Sequence, residues 1–138
     1  MHTCAAMNAE RVCYLDSSAI VKLVVRERES AALRRYLQGR TLVSSALARV
    51  EVARAITPQG ARALRKAKDV LARFDLVRIN SKVLTEAAVM DPPDLRTLDA
   101  IHLATAALFG RSLSRFVCYD GRLADAAKAA AWHVVSPG

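Results

Sequence analysis

Aromatic residues are scarce in this chain of 138 residues, at 5%. So few rings make a platform for stacking single-stranded bases, of the RRM or OB kind, a poor explanation of the chain. Cysteine is scarce too, and Cys4, Cys13 and Cys118 include no CxxC pair. An odd count without close spacing argues against a disulfide framework and against a zinc site. Cys13 and Cys118 sit in apolar runs and read as buried, reduced thiols. No run approaches the ~18 apolar residues of a membrane span. The opening "MHTCAAMNAERVCYL" has no basic segment leading into an apolar one, so no secretory signal is expected, and the expected location is the cytoplasm. Negative charge is in deficit. Thirteen Asp plus Glu face 21 Lys plus Arg, for a net charge of +8 and a pI near 10.0. That surplus suits a polyanionic partner, although a basic surface can also serve solubility alone.

What the chain has is apolar bulk, 53% of residues, enough to exclude disorder and, at this length, to build one core. Residues 1–10 read as an extension and 11–138 as a single domain. Short apolar runs without helical period, "RVCYLD", "TLVSS", "DLVRI", "RFVCYD" and "HVVS", read as strands. Helical patterns separate them. "SSAIVKLVV" starts from Ser17 or Ser18 as cap, and "ESAALRRYLQG" closes at Gly39. "ALARVEVARAI" takes Ser44 or Ser45 as cap, and "GARALRKAKDVLARF" and "SKVLTEAAVM" follow. "DLRTLDAIHLATAALFG" reads as the longest helix, closing at Gly110, and "GRLADAAKAAAW" as the last. Alternating strands and helices predict an α/β fold, a three-layer α/β/α sandwich around a parallel sheet.

In such a sheet the working crevice lies beyond the C-terminal strand ends. Two strands run into an acid there, "CYLD" at Asp16 and "VCYD" at Asp120. Either could simply cap the next helix. Two more acids interrupt apolar helix faces, Glu51 in "ARVEVARAI" and Asp99 in "TLDAIHLATAAL". A solvated face could explain Glu51 and an ion pair to arginine Asp99. Four converging carboxylates cannot all stay ionised without a cation, and hard oxygen ligands suit Mg²⁺ or Mn²⁺. An ion so held could prepare a water to attack phosphorus while the basic surplus holds a nucleic-acid backbone.

The ordered set "YLDSSAIVKL", "SSALARVEVARA", "LRTLDAIHLATA" and "FVCYDGRLADAA" resembles the PIN-domain ribonucleases, and most closely the VapC toxins of VapBC toxin–antitoxin pairs, over residues 11 to 136. The resemblance implies a metal-dependent endoribonuclease with Asp16, Glu51, Asp99 and Asp120 as catalytic, metal-holding acids. The fourth acid varies most in the family, and Asp125 is its nearest competitor. The resemblance also implies Mg²⁺ or Mn²⁺ as cofactor, tRNA or ribosomal RNA as substrate, a VapB-type antitoxin as inhibitor, and a homodimer.

Around these acids, Ser17 and Ser18 can support the site or cap the helix, and Thr97 can orient Asp99. His102, three residues past Asp99, either reaches the site or is a satisfied core histidine. Arg62, Arg65 and Lys66 form a basic stripe that is a candidate RNA track, as are Arg26 and Arg28. A haloacid-dehalogenase phosphatase would need an acid at Ser18, a receiver domain a lysine in "VCYDGR", and a dinucleotide fold a glycine-rich turn in "LDSSAIV". None is present. The alternative is a catalytically inactive PIN-fold module that binds RNA or protein.

Overall fold

The computed structural model describes residues 11–138. The extension, with His2 and Cys4, lies outside the described residues. The chain runs β1 (Val12–Leu15), α1 (Ser17–Val24), α2 (Ser30–Leu37), β2 (Thr41–Ser45), α3 (Ala48–Ile56), α4 (Ala61–Leu71), β3 (Asp75–Val77), α5 (Ser81–Ala88), α6 (Thr97–Ala107), β4 (Leu113–Val117), α7 (Gly121–Ala129) and β5 (Val134–Val135). The strands form one sheet in the order β3-β2-β1-β4-β5, every pairing parallel.

Strand side chains alternate between two cores, which is why the runs are apolar throughout rather than every second residue. Cys13, Leu15 and Val117 face a core built with Ile20, Leu33, Val52 and Val70 from α1 to α4. Tyr14, Val43, Phe116 and Cys118 face the opposite core, against Leu103 of α6 and Leu123 of α7. Three layers follow from that alternation. Trp132 packs behind the second core, its ring edge-on to Phe116 at 6.1 Å. Cys13 and Cys118 are buried free thiols.

Helix ends differ from the sequence reading in three places. Asp16, not a serine, caps α1: its carboxylate accepts from the Ala19 N–H. Ser44 and Ser45 do not cap α3, because Ala46 and Leu47 intervene before the helix begins. Ser44 donates instead to the Leu15 carbonyl at 2.6 Å and ties β2 to the end of β1, while Ser45 accepts from the Leu47 N–H. α6 starts at Thr97, after the Pro92-Pro93 pair, and ends at Ala107, so it has 11 residues, as α4 does. Gly110 opens a short 3-10 turn rather than closing the helix. Gly39 does close α2, with φ of +73°, a conformation L side chains resist.

Candidate active site

β1 and β4 are neighbours at the centre of the sheet, and the strand order departs from them in opposite directions. Their C-terminal ends lead directly to the N-termini of α1 and α7, the place where an open parallel sheet carries its ligand crevice. The Asp16 N–H donates to the Val117 carbonyl at 3.3 Å, which locks the first acid to the end of β4.

Asp16 is 3% exposed. The Ser18 hydroxyl lies 2.7 and 2.8 Å from its two carboxylate oxygens and donates across them, while accepting from the Tyr119 N–H at 3.2 Å. The Cys118 thiol donates to Oδ2 at 3.4 Å. Burial, then the charge of Asp16, holds that thiol far above its usual range, so it remains a donor. Burial also pushes the Asp16 carboxyl up, against the bonds from Ser18 and Ala19.

Glu51 sits in the first turn of α3. Its Oε1 accepts from the Ser17 hydroxyl at 2.6 Å and lies 2.7 Å from His102 Nε2. Burial raises this carboxyl, but the hydrogen bonds from His102 and Ser17 outweigh burial and leave it below the ordinary range. Asp99 sits in the first turn of α6, and its Oδ2 is buried without any hydrogen-bond partner. Among the described residues no ion pair reaches it. Burial raises its carboxyl first and the charge of Asp120 adds to that, with Arg96 opposing and Asp16 contributing further. Asp120 follows β4 and caps α7, its Oδ1 accepting from the Leu123 N–H at 3.1 Å.

The four sequence acids therefore fall at one edge of the sheet, and three of them, Asp16, Asp99 and Asp120, share an electrostatic field. Two of the acids, Asp16 and Asp120, are helix caps as well. Among the described residues no three His, Cys, Asp or Glu side chains close into a ready ligand shell. The donor set still fits a hard divalent cation. One buried carboxylate oxygen is unspent, two carboxyls are raised, and oxygen is the ligand atom throughout. Mg²⁺ keeps several waters and takes one or two carboxylates directly, so an open arrangement suits it.

A cleft of about 930 Å³ opens beside Asp99, between the α5–α6 connection and α7. Met90, Leu95 and Ala126 give it apolar lining, Arg96 and Arg122 border it, and Asp125 lines it with Asp99, whereas Asp120 does not. Both arginines were legible as neighbours, three residues before Asp99 and two after Asp120, yet sequence reasoning passed over them. The candidate basic tracks lie elsewhere. Arg62, Arg65 and Lys66 are exposed on α4 and do not line the cleft. Arg26 and Arg28 follow the far end of α1, roughly 12 Å along that helix from Asp16. Thr97 is exposed, lines a separate cavity and makes no side-chain hydrogen bond to Asp99 among the described residues. Ser17 and Ser18 spend their hydroxyls on Glu51 and Asp16 rather than on the helix end. Sequence reasoning also missed Tyr14 and Cys118 as site neighbours, since both stand in apolar strand runs.

A PIN domain model matches residues 13–129. The chain is 54% identical to Ribonuclease VapC46 of Mycobacterium tuberculosis over 125 residues, 90% of this chain and 96% of that protein. It is 45% identical to Ribonuclease VapC35 of the same species, over 91% and 96%. Its fold matches the crystal structure of M. tuberculosis VapC20, a sarcin-ricin loop cleaving toxin, with a TM-score of 0.72 at 16% identity, over 91% of this chain and 99% of that one. With a family match over most of its length and relatives this similar, the chain belongs to the PIN-domain family and, within it, to the VapC branch.

Proposed function

We propose that this protein is a metal-dependent endoribonuclease toxin that hydrolyses RNA phosphodiester bonds at the edge marked by Asp16, Glu51, Asp99 and Asp120. The observation that carries the reading is the buried, unpartnered Asp99 Oδ2, on a carboxyl raised first by burial and then by the charge of Asp120. Such an oxygen is costly unless a cation takes it up. Asp16, Glu51, Asp99 and Asp120 are the acids that would hold the ion. Bound Mg²⁺ or Mn²⁺ supplies positive charge for the phosphate and acidifies a water. Ser18, Cys118 and the Ala19 N–H fix the Asp16 carboxylate in one orientation, which a site on rigid elements needs. Arg96 and Arg122, both lining the cleft, supply positive charge for the RNA backbone, and its apolar lining can take a base. The VapC relatives are named ribonucleases, and VapC20 is described as cleaving the sarcin-ricin loop. A structured tRNA or ribosomal RNA loop is the substrate class that follows.

The test is cleavage of total cellular RNA by purified protein with Mg²⁺ or Mn²⁺, beside EDTA and Asp99→Asn. Discrete fragments that vanish in both controls are expected. The variant Arg96→Ala/Arg122→Ala should cut the same bonds with a higher KM and a shallower salt dependence. A cognate VapB-type antitoxin titrated into the same assay should suppress cleavage, its basic residues seated against the acids of the cleft. Fragments that persist unchanged in EDTA would overturn the metal reading.

The same reading includes a homodimer. Leu84, Val89 and Leu98, exposed at 52%, 78% and 46%, stand on or beside α5 and α6. Leu84 and Val89 line a cavity of about 440 Å³ there. Surface of this kind is what an isologous interface covers. Light scattering should give twice the chain mass, and Val89→Glu should return it to one. A wild-type monomer at high concentration would exclude the dimer.

A further inference from the structure

We infer that His102, oriented by Tyr14, is a positioning residue that fixes Glu51 so that Oε2 alone is offered to the metal. The inference rests on the metal site proposed above and adds a residue that reading does not use.

His102 is 1% exposed and sits in the middle of α6 with a hydrogen-bond partner on each ring nitrogen. The Tyr14 hydroxyl is 2.7 Å from Nδ1, and Glu51 Oε1 is 2.7 Å from Nε2. The chemistry of the partners fixes the direction of the chain. An ionised carboxylate only accepts, so Nε2 must carry a hydrogen. Tyr14 is a fully buried residue of β1 facing the second core, and a phenol keeps its proton at neutral pH. In a neutral ring Nδ1 is then a lone pair, and the Tyr14 hydroxyl donates to it. Tyr14 selects the tautomer that serves Glu51.

Ser17 completes the arrangement. Its hydroxyl donates to the same Oε1 at 2.6 Å. Two donors from different elements, α1 and α6, converge on one oxygen of a carboxylate carried by α3. No group among the described residues bonds Oε2, so that oxygen is the one free to act. A carboxylate held by one oxygen and free at the other cannot swing between binding modes, and it loses little freedom on taking a cation. A histidine whose only task was core packing would need a partner on each nitrogen too. The two cases separate by measurement.

The probe is Mn²⁺ alone, titrated calorimetrically into the full chain without RNA. His102→Leu keeps the apolar volume and removes the donor, and its Mn²⁺ affinity should fall about 10–100-fold. His102→Gln places an amide N–H within comparable reach of Glu51 and should recover most of the loss. Tyr14→Phe leaves the Nε2 donor but frees the tautomer, and a smaller loss is expected. A purely structural histidine would lower the melting temperature in all three and leave the affinity of the folded protein unchanged. A folded His102→Leu that binds Mn²⁺ as the wild type does overturns the inference and leaves the metal site standing. A wild type that binds no Mn²⁺ overturns both. Should His102→Leu fail to fold, ¹⁵N NMR of the wild type decides, recorded above the ordinary imidazole pKa of about 6.5. The proton on Nε2 supports the inference, and the proton on Nδ1 overturns it.

Discussion

Asp16→Asn should lower RNA cleavage by about 10³-fold or more, some 4 kcal/mol of transition-state stabilisation, while the metal-free protein becomes more stable. The two effects have one cause. Asp16 is a carboxylate 3% exposed at the edge of the sheet, and burial raises its pKa despite bonds from Ser18 and Ala19. A carboxyl raised in the folded state contributes fully below its ordinary pKa near 3.8, and that contribution is lost as pH rises through the folded value. At neutral pH the charge is therefore a burden that a cation relieves and an amide removes. Asparagine caps a helix as well as aspartate does, so the Ala19 N–H keeps its acceptor. Cys118 exchanges a strong acceptor for a weak one, a small loss. Calorimetry in EDTA should show the variant melting above the wild type by a few degrees, about 1 kcal/mol. The gap should narrow as pH falls toward 3.8. A variant that cleaves at the wild-type rate removes Asp16 from the site, and one that melts lower at neutral pH shows that its hydrogen bonds outweigh the burden.

The cost of placing a charge among apolar residues is why the acids were legible in the sequence. A carboxylate at the end of "VCYL", or between Val50 and Val52, breaks a local rule, and a sequence breaks such rules where a site compensates. The strands were legible for a related reason: a sheet covered on both faces is apolar at every position, and "VCYL" and "RFVCY" carry no alternation. What the sequence hid was pairwise. Tyr14 and His102 are 88 residues apart, and nothing in either local pattern states that they meet. Helix caps failed for a different reason. Ser44 and Ser45 have the right chemistry too early in the chain, and the cap assigned to Ser17 or Ser18 falls to Asp16, where capping competed with a site role. The basic stripe of Arg62, Arg65 and Lys66 shows an exposed face without showing what that face looks upon, and it lies away from the cleft. Arg96 and Arg122 form no stripe, and only the fold brings them to one cleft.

Phe116→Ala should cost about 3–5 kcal/mol of stability, a fall of roughly 10 °C or more in melting temperature for a domain this size. Phe116 is fully buried in the middle of β4's pairing with β1. Its ring stacks on Tyr14 with centroids 5.3 Å apart and planes 9° from parallel, and Trp132 meets it edge-on. Truncation opens a cavity between the sheet and α7, and neighbouring strands cannot move in to fill it. It also removes two aromatic contacts, each worth about 0.5–1.5 kcal/mol beyond area. The backbone is untouched, since the Phe116 N–H still donates to the His133 carbonyl. The site feels the change through Tyr14. With one face of its ring unsupported, the phenol that orients His102 gains freedom, and Glu51 inherits part of it. Thermal melts should therefore show the large loss, and Mn²⁺ affinity well below the melt should fall by less than the His102→Leu variant's. Phe116→Leu, which fills more of the cavity without a ring, should recover much of the stability but not the stacking. A loss under ~1 kcal/mol in Phe116→Ala would mean that Trp132 and α7 collapse into the space, and that the second core is far looser than its packing of Tyr14, Phe116 and Leu123 implies.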